Sequence, residues 1–192
     1  MEQADIDFHR TLGTFQYRCP TPEDGLAVWR LIQLTEKLEA NSAYFYLIFC
    51  TDFARTCLVA EREGEMVGII IGFHPPDQSE TAFCWQIGVH PKWRGVGLAS
   101  NLLQRWLMLP SNQQVRYVTA TVATDNHASD RLFRRFADCV RAPCEVKEHF
   151  TEALIEPGHA PEPRYRIGPI DRTAFDQTYG ISDHVWPPVF FL

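Results

Sequence analysis

The chain has 192 residues, 45% of them hydrophobic, enough to bury a full core in one domain, and its formal net charge of -6 at pH 7 argues against a broad nucleic-acid surface. No apolar run reaches membrane-spanning length, and the opening Met1-Glu2-Gln3-Ala4-Asp5 is acidic where a secretory signal would be basic. The six cysteines, Cys19, Cys50, Cys57, Cys84, Cys139 and Cys144, follow no metal-ligand or disulfide spacing, so reduced thiols of a cytoplasmic protein and no metal are expected.

Residues 1–14 show no sustained period and are expected to form a loose leader. Phe15 to Cys19 reads as a short strand. Thr21-Pro22-Glu23-Asp24 is a helix start, with Pro22 at the first helical position, and Leu26, Val28, Trp29 and Ile32 follow at helical spacing. Asn41 or Ser42 caps a second, aromatic helix, Ala43 to Phe53. Cys57 to Glu61 and Met66 to Phe73 form a hairpin across Arg62-Glu63-Gly64-Glu65. Thr81 to Val89 is a third long strand, whose period of two puts Phe83, Trp85, Ile87 and Val89 on one face and Cys84 on the other. Leu98 to Leu109 and Asn126 to Ala137 are helical, and Val115 to Val122 is a strand between them. Glu145 to Phe150 and Arg164 to Ile167 are weaker strands, separated by a loop marked by Pro157-Gly158 and Pro161-x-Pro163. The order predicts a single α/β (α+β) domain over residues 15–170, a mostly antiparallel sheet flanked by helices, with 171–192 as a tail or arm.

Between the third long strand and its helix stands His90-Pro-Lys-Trp-Arg-Gly-Val-Gly-Leu-Ala-Ser100. Gly95 and Gly97 free the backbone to approach an anion, Ala99 keeps the helix start narrow, and a helix N-terminus carries partial positive charge. Arg94 adds a cation able to hold phosphate through two hydrogen bonds. A phosphorylated ligand is therefore expected. Neither the dinucleotide spacing G-x-G-x-x-G nor the nucleotide-triphosphate spacing G-x-x-x-x-G-K-[ST] is present.

Arg94-x-x-Gly97-x-Ala99, read with Ile87-x-Val89 upstream and Asp125-Asn126-x-x-Ser129-x-x-Leu132-Phe133 downstream, resembles the GNAT superfamily of N-acetyltransferases. The resemblance implies acetyl-CoA as co-substrate. It implies contacts from Ile87, Gly88 and Val89 through the backbone, from Arg94, Gly95, Val96, Gly97, Leu98 and Ala99 at the diphosphate, and from Asn126 on the pantetheine arm. It also places residue 133 where the superfamily often has a tyrosine that protonates the departing thiolate; Phe133 has no hydroxyl and cannot. Asn126 as a plain helix cap remains the alternative.

Blocks outside those motifs narrow the likeness: Tyr17-Arg18-x-Pro20-Thr21, Glu39-Ala40-Asn41-Ser42-x-Tyr44-x-Tyr46, Trp85-Gln86 and Gly158-His159-x-x-Glu162-x-x-Tyr165-Arg166. Together they resemble the L-2,4-diaminobutyrate acetyltransferase family of ectoine biosynthesis, which implies a small diamino-acid substrate and a homodimer. Such a substrate brings two ammonium groups and one carboxylate. Glu39 and Glu162 suit the cations, Asn41 and Tyr44 can donate or accept, Trp85 offers an aromatic face, and His159 stands in the Pro/Gly-bounded loop. Each also has a structural alternative, as solvated charge, core aromatic or loop histidine. Glu39, Glu162 and His159 are the candidate bases. Direct attack in a ternary complex is expected, without an acetyl-enzyme. The competing readings are a GNAT enzyme acting on another small amine, such as a polyamine or aminoglycoside, and a non-catalytic acyl-CoA sensor.

Overall fold

The computed structural model describes residues 15–36, 38–155 and 157–179; the predicted leader 1–14 lies outside them. Seven strands form one sheet in the order β1-β2-β3-β4-β5-β7-β6. They are β1 (Gln16–Arg18), β2 (Leu58–Arg62), β3 (Glu65–Phe73), β4 (Thr81–Val89), β5 (Tyr117–Thr121), β6 (Cys144–Phe150) and β7 (Glu162–Ile167). Every neighbouring pair is antiparallel except β4 with β5. Five helices flank it: α1 (Gly25–Leu34), α2 (Ala43–Thr51), α3 (Leu98–Leu107), α4 (His127–Cys139) and α5 (Arg172–Tyr179).

Local chemistry accounts for the boundaries. The Asp24 carboxylate accepts the Thr21 N–H at 2.7 Å before α1. Of the two proposed caps for α2, Ser42 serves, accepting from the Phe45 amide. Glu63 and Gly64 both have positive φ (53° and 80°), as a two-residue hairpin turn requires. Strand β5 is shorter than the apolar run suggests: the Val115 N–H closes a turn on Asn112 O, and the Arg116 N–H bonds Glu80 O just ahead of β4.

Two cores sit on opposite faces of the sheet. On one, Val28, Ile32, Tyr46 and Phe49 of α1 and α2 pack on Val59, Ile69 and Ile71. On the other, Leu102, Trp106 and Phe136 of α3 and α4 pack on Leu58, Ile70 and Ala82. Strand β3 is buried on both sides and so reads as an almost unbroken apolar run. A Cβ at Gly72 would lie 2.4 Å from Trp106 Cζ2, so the indole fixes that glycine. Leu26, placed by spacing in the α1 stripe, is 48% exposed. The stretch after 170, expected to be a tail, begins with α5, whose Phe175 is buried in the α3/α4 core; residues 180–192 lie outside the described residues.

Strand β4 departs from simple alternation. Ile71 pairs with Gln86 and Gly72 with Cys84, leaving Trp85 as an extra residue in a bulge. The bulge reverses the phase. Ala82 and Cys84 face the α3/α4 core before it, and Ile87 and Val89 face the same core after it. The expectation that Ile87 and Val89 share a face with Trp85, opposite Cys84, is thereby corrected. Gln86 and Gly88 turn to the α1/α2 side, where a Cβ on Gly88 would meet Ile32 and Ile69.

Candidate active site

Strands β4 and β5 pair only at Thr81 with Tyr117, Ala82 with Val118 and Phe83 with Thr119. Beyond Phe83 they diverge, and the β4 backbone on that side has no strand partner among the described residues. A cavity of about 360 Å³ occupies the wedge. Phe83 to Ile87 form one wall, Thr121 to Ala123 the other, and Ser129 and Phe133 of α4 with its cap Asn126 close it; Leu38, Glu39, Asn41, Phe150, Ile155, His159 and Glu162 complete the lining.

The C-terminal end of β4 leads into the glycine loop. Its entry is set by the His90 amide bonding Val67 O and by a short turn over Pro91–Trp93. Gly95 and Gly97 have φ of +80° and +81°, a region costly for residues with a Cβ, and open space lies above both. None of the backbone N–H groups from Gly95 to Ala99 meets an acceptor among the described residues. Five such amides at a helix start make an anion cradle, and Leu98, 1% exposed, roots it in the core. Val96 packs against that core rather than facing outward. Arg94 is only partly available for an anion: its Nη2 donates to Thr35 O at 2.7 Å, tying the loop to the end of α1.

The cavity lining is acidic and aromatic, with Glu39, Glu162, Phe83 and Trp85. A buried polar chain sets the α1–α2 loop: Gln86 Nε2 donates to Glu39 O at 2.8 Å, and the Tyr46 hydroxyl donates to Gln86 Oε1 and accepts the Asn41 N–H at 3.1 Å. The wall residue Trp85 is 46% exposed and packs against Phe45, Phe73 and Phe83. His159 Nδ1 lies 2.7 Å from Ala160 O, an atom that can only accept, so Nδ1 carries the proton. Nε2 is then the basic atom of the neutral ring, 3.9 Å from Glu162 Oε1.

The structure thus gathers Glu39, Asn41, Trp85, Ile87, Asn126, Phe133, His159 and Glu162 around one cavity. Tyr44 is not among them; it is 69% exposed in the first turn of α2, because the Ser42 cap turns that position outward. Gly88 and Val89 lie past the cavity, one against each core. Asn126 does cap α4, its Oδ1 accepting from the Ser129 amide, which leaves its NH₂ for a ligand. Cys84 contributes no nucleophile: burial pushes its thiol up to about 12. Sequence reasoning gave no role to Gln86, Thr121 or Ser129; a glutamine between apolar residues of a core strand was the available signal for the first.

Comparison with known proteins matches residues 26–137 to the acetyltransferase (GNAT) family. L-2,4-diaminobutyric acid acetyltransferase of Halalkalibacterium halodurans is 44% identical over 153 residues, 79% of this chain and 80% of that protein. The enzyme of the same name from Chromohalobacter salexigens is 40% identical over 169 residues, 88% of each. Among solved structures, diaminobutyrate acetyltransferase EctA from Paenibacillus lautus, in complex with its substrate L-2,4-diaminobutyric acid and coenzyme A, superimposes with a TM-score of 0.79. It is 36% identical and covers 81% of this chain and 95% of that one.

Proposed function

The chain belongs to the acetyltransferase (GNAT) family, and from that footing we propose that it moves acetyl from acetyl-CoA to the side-chain (gamma) amine of L-2,4-diaminobutyrate, a step of ectoine biosynthesis. One observation carries the reading. Strand β4 runs from the wall of a cavity of small-molecule size, lined by Glu39 and Glu162, to five amides that are unpaired among the described residues and suit a diphosphate. Glu39 matches one ammonium group, and the His159–Glu162 pair matches the other.

Coenzyme A, when bound, supplies the acetyl group as a thioester. The protein's part is to hold it and to prepare the amine. Gly95 to Ala99 hold the diphosphate, Asn126 and the free β4 edge hold the pantetheine arm, and a β4 amide near Ile87 polarises the thioester carbonyl. An alkylammonium with a pKa of ~10.4 is neutral in only about one molecule in 10³ at pH 7, a barrier of ~4–5 kcal/mol that a base must offset. His159 takes that proton on Nε2, and Glu162 stabilises the imidazolium that forms. Glu39 holds the second ammonium and Trp85 shields it. Attack is direct, since the one thiol beside the site is buried in the core. The protein acts in the cytoplasm as a homodimer, which light scattering of the purified chain checks by mass.

Steady-state acetylation of 2,4-diaminobutyrate against ornithine, lysine and 1,3-diaminopropane tests the substrate. A strong preference for diaminobutyrate is expected. A flat response leaves only a small-amine acetyltransferase, and no thiol release with any diamine leaves an acyl-CoA sensor.

A further inference from the structure

Breaking the thioester C–S bond places an electron pair on sulfur, and Phe133 has no proton to offer it. From α4 and its cap, Asn126, Ser129 and Phe133 line the cavity. Ser129 alone of these has a hydroxyl, and its Oγ has no hydrogen-bond partner among the described residues.

Position supports a role. Ser129 and Phe133 are four residues apart on one helix, hence on one face. A helical side chain lies over the turn N-terminal to its own Cα, so a longer phenol at position 133 would end above the turn that Ser129 occupies. Ser129 is also in the first turn of α4, where the helix dipole favours negative charge.

We propose that Ser129 is a catalytic residue, its Oγ–H donating to the departing sulfur in the place that residue 133 leaves open. The inference rests on the acetyl-transfer reading above. The ammonium sheds two protons in all. His159 takes the first before the N–C bond forms. The second, on nitrogen after attack, reaches sulfur through Ser129: Oγ–H is given to sulfur as the C–S bond breaks, and Oγ recovers a proton from the nitrogen. Free thiol and amide result, and the hydroxyl is restored.

The test is Ser129→Ala beside Ser129→Thr, each first shown by calorimetry to bind acetyl-CoA as the unaltered enzyme does. For Ser129→Ala, kcat is expected to fall about 10²-fold while both KM values stay within about twofold. Ser129→Thr keeps the hydroxyl and is expected to retain kcat within about tenfold. Unchanged kcat in Ser129→Ala, a rise in KM with kcat kept, or equal loss in both variants overturns the proposal while acetyl transfer stands. No thiol release from the unaltered enzyme overturns both together.

Discussion

At Tyr46 a single hydroxyl joins α2 to the loop bearing Glu39 and Asn41 and to Gln86 on β4. Replacing Tyr46 by Phe leaves the Asn41 N–H and the Gln86 carbonyl short of a partner in a buried place, a cost of about 1–3 kcal/mol. Tyr46→Phe is therefore expected to lower the midpoint of urea unfolding and to raise KM for diaminobutyrate several-fold, with KM for acetyl-CoA nearly unchanged. Equal rises in both would show that the network serves the whole fold instead of the amine end. Cys84 gives the opposite expectation. Its thiol is held neutral in the core, so Cys84→Ala should keep turnover at the cost of about 1 kcal/mol of stability from the lost packing; thiol-ester capture on the unaltered enzyme, absent from the variant, would speak for an acetyl-enzyme. Single residues were the least legible part of the sequence. Trp85 lines the cavity, yet Ile87 and Val89 lie on the other face of β4, because period-two counting cannot see a bulge. Tyr44 was drawn in by its neighbours in the motif, whereas the Ser42 cap decides where it points.

Elements fared better, since their signals are local and repeated. Every predicted helix and strand from β1 to β7 forms, with small shifts at their ends. What periodicity could not give is the way β1 is tied in. Arg18 on β1 donates to Asp24 Oδ2 and Oδ1 at 2.6 and 2.9 Å and to Glu61 of β2, fastening strand, helix entry and sheet together. Burial opposes the charged form of Asp24, but the Arg18 bonds and the Thr21 amide outweigh it and hold its pKa below the ordinary 3.8. A lowered carboxyl stabilises the fold fully above its unfolded pKa and loses that contribution as pH falls through the folded value. Thermal stability should therefore drop as pH is taken from 5 towards 3. In Arg18→Ala the drop should be shallower, starting from a protein about 1 kcal/mol less stable at pH 7, a small figure because the pair is partly solvated. An identical acid profile in the variant would remove Arg18 from the account.

For the molecule as a whole, the layered architecture was readable because strand and helix periods alternate along the chain. The cavity was readable only in outline, since its walls come from segments more than a hundred residues apart, from Glu39 to Glu162. The sheet's middle also sets how the protein responds to its ligand. Only three residue pairs bridge β4 and β5 before the strands part. A pantetheine arm laid along the free β4 edge acts there as a replacement rung, closing a seam the polypeptide leaves open. Acetyl-CoA at about 100 times its Kd adds ~2.7 kcal/mol to the folded state by mass action, or about 5–10 °C in Tm for a chain of this size. Amide exchange should slow along β4 and β5 more than in the β2–β3 hairpin. The enzyme would then be mechanically whole only while it holds its acyl donor, and weakest in the interval after the spent thiol departs.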